Sequence, residues 1–178
     1  MRLRLSAFTV VALWLGLFHA AFAGAANGPC DLPPSLQRGL ASKYPGARLV
    51  SLQDLSEETR GLFQKDHGKD CPGLVEVDFY GDGKPTLALV LIVNSGGNLS
   101  TELVVAHEVA QRWKTVSMDK AKSTIAVVWS QRPGEYEDVY GEKKIRATGP
   151  VIVFCEYNAW AILYAWTGGR ADKIWLRD

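Results

Sequence analysis

Three carboxylates, Asp78, Asp82 and Glu156, are candidate catalytic side chains in this sequence of 178 residues. Two carboxyl groups that face each other across one cleft can hydrolyse a glycosidic bond, one as acid and the other as base or nucleophile. If these three residues converge in the folded chain, we expect a hydrolase. The sequence contains no G-x-S-x-G or H-E-x-x-H motif that would indicate another hydrolytic mechanism.

Two of these acids also lie in a candidate metal-binding loop, the segment DFYGDGKPT that runs from Asp78 to Thr86. It resembles the short calcium loop of integrin-type (FG-GAP) propeller repeats, roughly Asp-x-Asn-x-Asp-Gly-x-x-Asp before an apolar strand. The resemblance implies Asp78 and Asp82 as calcium ligands, since calcium takes several oxygen ligands from a tight loop. Tyr80 replaces the carboxamide and Thr86 the closing carboxylate of that pattern. A plain Asp-Gly hairpin turn is the alternative, and no other cofactor is predicted.

A histidine and a cysteine could in principle form a nucleophilic pair. His107 and Glu108 point to opposite faces if they lie in a strand, so they do not form an acid–base pair. We interpret His107 as a surface or hydrogen-bonded strand histidine. Cys155 lies in the apolar run from Val151 to Cys155, and we interpret it as a buried small hydrophobic residue. The sequence therefore shows no assembled nucleophilic site.

Aromatic residues near the C-terminus form the candidate binding surface. Trp160, Tyr164 and Trp166 are evenly spaced and would share one face of a strand, with Trp175 on the partner strand. If this face packs on the N-terminal helices, the rings belong to the core. If it faces solvent, the four rings form a platform suited to a sugar or a partner protein. The simpler alternative is packing on the helices.

The elements that would position these residues fall into two groups. A helix is predicted to start after Pro33-Pro34, with Ser35 near its start, and to run to about Tyr44; a second is predicted from Ser56 to about Lys65. Eight or nine strands follow, including an apolar central strand over Thr86 to Val93 and a C-terminal hairpin turning at Gly168-Gly169. The sequence therefore predicts an α+β fold with two N-terminal helices packed on a mainly antiparallel, curved β-sheet.

The N-terminus predicts export from the cytoplasm. Arg2 and Arg4 precede an apolar run that ends at Ala21-Phe22-Ala23, as in a cleavable signal peptide of residues 1–23. A flexible tether over 24–33 and a single α+β domain over 34–178 follow. We expect a secreted or periplasmic protein that is not an integral membrane protein once the signal peptide is removed.

The net charge and the cysteine content further limit the classes of function expected for the chain. Removing residues 1–23 takes away two of the 20 basic residues and leaves 18 against 19 acidic ones. A nearly neutral chain without a basic stripe is not expected to bind nucleic acid. Cys30 and Cys71 each lie beside Pro and Gly in loop segments and are predicted to form a disulfide, although the three cysteines allow three pairings. We expect a binding or accessory module that recognises another protein or an envelope component; the alternatives are the hydrolase and a calcium-stabilised module.

Overall fold

The computed structural model of the chain describes residues 28–176. The predicted signal peptide and residues 24–27 of the predicted tether lie outside this range. The helices are α1 (Pro34–Lys43) and α2 (Glu57–His67), with a 3-10 turn at Leu52–Asp54. Eleven strands are found in the described range: β1 (Arg48–Leu49), β2 (Leu74–Val77), β3 (Thr86–Ser95), β4 (Asn98–Val109), β5 (Arg112–Lys122), β6 (Val127–Gln131), β7 (Gly134–Glu137), β8 (Lys144–Ala147), β9 (Val151–Glu156), β10 (Trp160–Thr167) and β11 (Arg170–Leu176).

The strands form three sheets in which every neighbouring pair is antiparallel. The first sheet has the order β1-β3-β4-β5, and β2 also pairs with β3. The second has the order β11-β10-β9-β6, and the third is the β7-β8 hairpin. The two larger sheets share one hydrophobic core, which includes Val90 and Val105 of the first sheet and Phe154 and Leu163 of the second.

The predicted fold class is wrong, because the fold is mostly antiparallel β-structure and its main core lies between sheets. The helices have only 10 and 11 residues. Leu36 and Leu40 are the buried side chains of α1, and Phe63 is that of α2. Three apolar side chains cannot cover strands that are buried along both faces, as β9 and β10 are. A second sheet supplies the missing apolar surface.

Strand β3 is central, as its sequence predicts. It lies between β4 on one side and β1 and β2 on the other. Its even-numbered residues, such as Val90, face the core shared by the sheets, whereas Leu87, Leu89 and Leu91 pack against Leu36 and Leu40 of α1. Because both faces are covered, both sets of alternating side chains are apolar.

Local sequence explains both helices. Pro34 suits the first turn of α1, where a missing N–H costs nothing. Ser56 caps α2 by accepting a hydrogen bond from the Thr59 amide, and Gly68 ends it with φ of 65°.

Within residues 28–176, no helix has the length and apolar character needed to cross a membrane.

The predicted disulfide between Cys30 and Cys71 is present. It joins the segment before α1 to the loop after α2 and closes a separation of 41 residues. The Cys71-Pro72-Gly73 loop also links the sheets, because the Pro72 carbonyl accepts a hydrogen bond from the Val128 amide of β6 and the Gly73 carbonyl accepts one from Val90 of β3. The bridge thus fixes the N-terminal segment to a junction between the two main sheets.

An ion pair at the start of the first sheet gives a testable pH dependence. Arg48 Nη1 donates to Asp54 Oδ2 at 2.6 Å, and the Ser51 amide and hydroxyl donate to the same oxygen. The Arg48 hydrogen bond, helped by those from Ser51, lowers the pKa of Asp54 from 3.8 to about 2. A lowered folded-state pKa stabilises the fold above pH 3.8, and that stabilisation is lost as the pH falls through 2.

We therefore expect Asp54→Asn to lower the free energy of unfolding by about 1 to 2 kcal/mol at pH 7, after allowance for the exposure of Arg48. The difference from wild type should shrink towards pH 2, which urea denaturation at pH 7, 4 and 2.5 would measure. Glu76→Gln, at an exposed position of β2, is the matched control. An equal effect of Asp54→Asn at pH 7 and 2.5 would contradict this account of Asp54.

Candidate functional site

The four predicted binding residues do not form one platform. Trp160 and Trp175 meet at one end of the second sheet, with ring centroids 6.2 Å apart and planes at 73°. Trp166 lies at the other end of β10, where it contacts the rings of Phe79 and Tyr80. Tyr164 lies between the two ends and is only 2% exposed. The aromatic face is turned towards the first sheet rather than towards the helices.

Trp160 and Trp175 line a cleft of about 330 Å³ between β5 of the first sheet and the second sheet. We call it the tryptophan cleft. Trp175 is 46% exposed, and the Nζ of Lys173 lies 5.4 Å from its ring centroid. The charged residues at the cleft are Asp119, Lys120, Lys122, Glu156 and Lys173. The register of β5 places the side chains of Asp119 and Ala121 towards the second sheet and those of Lys120 and Lys122 on the opposite face. The exposed ring of Trp175 and the partly buried ring of Trp160 therefore lie beside both cationic and anionic groups.

Asp119 holds the base of the cleft together. The Tyr164 hydroxyl donates a hydrogen bond to Asp119, and Lys173 forms an ion pair with the same oxygen. Burial alone would raise the pKa of Asp119, but the hydrogen bonds from Lys173 and Tyr164 and from the Lys120 amide outweigh it and lower this pKa. Burial, followed by the hydrogen bond to Asp119, raises the pKa of Tyr164. Asp119 is therefore a fixed carboxylate and Tyr164 a fixed donor.

A β-bulge turns Asp119 towards the second sheet. Ser117 pairs with Val104 and Asp119 pairs with Leu103, so Met118 has no cross-strand partner. One inserted residue shifts the inward and outward alternation of a strand. Met118 packs against the shared core, and Asp119 reaches Tyr164 and Lys173 across it. The sequence analysis did not identify Asp119 as a candidate residue.

The other wall of the cleft is fixed by neighbouring strands. Trp160 pairs with Glu156 across β10 and β9, and the Trp160 Nε1 donates to Glu156 Oε2 at 2.8 Å. The Val139 amide, between β7 and β8, donates to the Trp175 carbonyl at 2.8 Å. The hairpin of the third sheet therefore anchors the edge strand that carries Trp175.

A second depression of about 370 Å³ shares two lining residues, Thr124 and Glu156, with the tryptophan cleft. That depression lies beside the first residues of α2, including Ser56 and Thr59. A larger groove of about 550 Å³ lies between α1 and β1, but none of its lining side chains is aromatic. The tryptophan cleft combines aromatic rings with charged residues of both signs. A pocket of about 340 Å³ beside Trp129 is also lined by aromatic and charged residues, but apart from His67 its titratable residues, Asp70 and Glu76, are acidic.

No protein-family model, curated protein or solved structure matches this chain. Its function must be inferred from the chemistry of its own residues.

His107 lies at the opposite end of the first sheet in a hydrogen-bonded chain. Its Nε2 is 3.2 Å from Asp82 Oδ2, and its Nδ1 is 3.2 Å from the hydroxyl of Thr86. The order hydroxyl, imidazole, carboxylate is that of a nucleophilic triad. Thr86, however, is 0% exposed, so no substrate reaches its hydroxyl in this conformation. In this arrangement, both ring nitrogens of His107 have polar partners, as expected for a hydrogen-bonded histidine in a strand.

Three of the four carboxylate oxygens of the predicted calcium ligands contact a nitrogen atom. Asp78 Oδ2 accepts from the Gly83 amide, and Asp82 Oδ1 accepts from the Lys84 amide while Oδ2 faces His107. Asp78 Oδ1 is buried and has no partner among the described residues. Within residues 28–176, no group of three or more His, Cys, Asp or Glu side chains could hold a metal ion. These contacts are those of a turn that is stabilised by hydrogen bonds from its backbone amides to its own aspartate side chains.

The three candidate catalytic carboxylates do not converge. Asp82 lies near His107 at the end of the sheets that also holds Trp166, whereas Glu156 contacts Trp160. Residues 160 and 166 are separated along β10 by about 20 Å at 3.3 Å per residue. Glu156 instead shares its cleft with Asp119. This geometry gives no support to hydrolysis by Asp78, Asp82 and Glu156.

Proposed function

We propose that this protein is an exported binding module that recognises an envelope component or another protein through the tryptophan cleft. The observation that carries the proposal is the position of Trp175, a large aromatic side chain that is 46% exposed beside a second tryptophan and several charged groups. Exposed aromatic residues in a cleft are typical of binding sites, where they supply most of the affinity.

Export is proposed from two observations of different kinds. The sequence of residues 1–23 has the pattern of a signal peptide, and the Cys30–Cys71 disulfide is of a kind that persists in oxidising compartments. Both are consistent with a protein that works in the periplasm or outside the cell.

Replacing Trp175 by alanine should separate binding from folding. We expect Trp175→Ala to lower the amount of protein that co-sediments with the insoluble envelope fraction of the source cells by about tenfold, as for an interface residue that contributes more than 1 kcal/mol. Because the side chain is half exposed, the variant should remain folded, with a far-ultraviolet circular dichroism spectrum and a melting transition close to those of wild type.

Tyr140→Ala is the matched control, since Tyr140 is an exposed aromatic residue, 77% accessible, that does not line the cleft. It should co-sediment like wild type. If Trp175→Ala and Tyr140→Ala bind the envelope fraction equally well, or if wild type does not bind it, the proposed function is wrong.

A further inference from the structure

We propose that the tryptophan cleft binds a basic segment of a partner protein, with a lysine or arginine side chain of that segment against Glu156 and the indole rings. This inference rests on the proposed function and specifies the chemistry of the partner. Three features of the cleft support it: a carboxylate outside the ion pairs of the described residues, aromatic rings that already attract a cation, and dimensions suited to long side chains.

Glu156 and both indole rings lie on one face of the second sheet. Glu156 pairs with Trp160 across β9 and β10. Trp175 of β11 pairs with Ile162, two residues after Trp160 in β10. Because residues two apart in a strand share a face, the carboxylate and the two rings point to the same side as Tyr164. That side faces the first sheet, since Tyr164 donates its hydrogen bond to β5.

The side chains at the cleft leave one negative charge without a counter-ion. Asp119 forms an ion pair with Lys173, whereas Glu156 takes part in none of the ion pairs found within residues 28–176. Lys120 and Lys122 do not compensate Glu156, because their side chains lie on the opposite face of the first sheet. Two carboxylates against one ammonium group favour a cationic ligand.

One oxygen of Glu156 is available to such a ligand. Its Oε2 accepts a hydrogen bond from Trp160 Nε1 at 2.8 Å, whereas Oε1 accepts none from residues 28–176 and is not buried. Both oxygens of Asp119 are engaged, Oδ1 by a backbone amide and Oδ2 by Tyr164 and Lys173. A charged donor can therefore bind Glu156 Oε1 without first breaking an internal hydrogen bond.

The rings at the cleft already attract an internal cation. The Nζ of Lys173 lies 5.4 Å from the ring centroid of Trp175 and 5.9 Å from that of Tyr164. Separations within about 6 Å are those of cation–π contacts. Trp175 nevertheless remains 46% exposed. This exposed surface can pack against the apolar stem of a lysine or arginine side chain whose charged end lies at Glu156.

The dimensions of the cleft suit an extended segment with long side chains. Its volume of about 330 Å³ is at the lower end of the range for small-ligand sites. The depression beside α2 shares Thr124 and Glu156 with it, and no lysine or arginine of residues 28–176 lines that depression. Glu57 and Glu58, in the first turn of α2, add negative charge beside it. Because Glu156 lines both, an extended segment can place one side chain in each.

Titration of the full exported protein with four probes tests the inference. The probes are short arginine, lysine and glutamine homopeptides of equal length, and chitosan oligosaccharides, which carry ammonium groups on sugar rings without a long apolar stem. Binding is followed by tryptophan fluorescence and calorimetry. We expect the arginine and lysine peptides to bind at least about tenfold more tightly than the glutamine peptide and chitosan. Their binding should weaken as the salt concentration rises, as expected for exposed charges.

Two variants and a control identify the site. Trp175→Ala and Glu156→Gln should each weaken binding of the arginine peptide by about tenfold. Glutamine keeps an oxygen that can accept the hydrogen bond from Trp160, so Glu156→Gln should remain folded. Glu108→Gln removes the same charge near the opposite end of β4, away from the cleft, and should bind like wild type. Equal binding by Glu156→Gln and Glu108→Gln, whether weakened or not, would overturn the assignment to this cleft.

The remaining outcomes also decide between alternatives. Equal binding of the glutamine peptide would remove the need for a cation, and equal binding of chitosan would indicate a cationic sugar chain; either result overturns the inference. Failure of all four probes overturns it as well. If the envelope fraction still binds wild type but not Trp175→Ala, the proposed function stands and only the partner chemistry is wrong.

Discussion

Replacing Gly73 by alanine is expected to destabilise the fold by about 3 kcal/mol or more, the upper range for overpacking a tight site. An added Cβ would lie 2.4 Å from the Val50 carbonyl oxygen and 2.8 Å from the Val50 nitrogen. Both are backbone atoms, so no rotamer change relieves the contact. The Val50 amide donates to the Val90 carbonyl and the Val90 amide donates to the Gly73 carbonyl, which fixes the two segments against the same strand.

Gly61→Ala is the matched control, because an added Cβ at this position in α2 meets nothing within 4 Å. It should be neutral or stabilising by up to about 1 kcal/mol, as expected for glycine to alanine in an exposed helix. Thermal and urea denaturation of both variants measure the contrast. If Gly73→Ala is as stable as wild type, the close approach of this loop to Val50 does not exist in solution.

Local patterns in the sequence predicted much of the secondary structure. Both helices, the central position of β3 and the glycine turn between β10 and β11 were predicted from capping residues, apolar runs and glycines. Gly168 and Gly169 have φ of 56° and 84°, as a tight antiparallel hairpin requires. These features depend on residues close together in the chain, so their signals are local.

The fold class was not predicted correctly because it depends on how distant segments pair. An apolar strand such as β10 has the same sequence pattern whether a helix or a sheet covers it. The sequence shows two helices before the strands, and packing them on one sheet was the simpler arrangement. The helices are too short for that role, and β6, β9, β10 and β11 form a sheet of their own that packs on the first.

The sequence also indicated only some of the residues that lie together at the tryptophan cleft, because their positions depend on how distant strands pair. Trp160 and Trp175 were recognised from strand spacing, but Trp166 was grouped with them although it contacts Phe79 and Tyr80. Asp119 was missed because a single-residue bulge decides which way it points, and a bulge leaves no clear mark in the pattern of β5. Lys120 and Lys122, which follow Asp119 closely in β5, were not identified from the sequence either.

Loss of the Cys30–Cys71 bridge is expected to lower the free energy of unfolding by about 3 to 4 kcal/mol. The chain-entropy estimate applies because the bridge closes 41 residues and limits the unfolded chain. Alanine is the suitable replacement at both positions, since Cys71 is buried and a serine hydroxyl there would add a second penalty. For a domain of this size the melting temperature should fall by about 10 °C, measured by calorimetry.

Reductant provides the control for this variant. Dithiothreitol should lower the melting temperature of wild type to that of Cys30→Ala/Cys71→Ala and leave the variant unchanged, because the variant has no bridge to lose. An equal effect of reductant on both proteins would place the destabilisation elsewhere in the chain. Equal stability of wild type with and without reductant would mean that the bridge does not hold the N-terminal segment to the sheets. Since reducing compartments such as the cytosol keep thiols reduced, the expected difference also means that the chain has its full stability only in an oxidising environment.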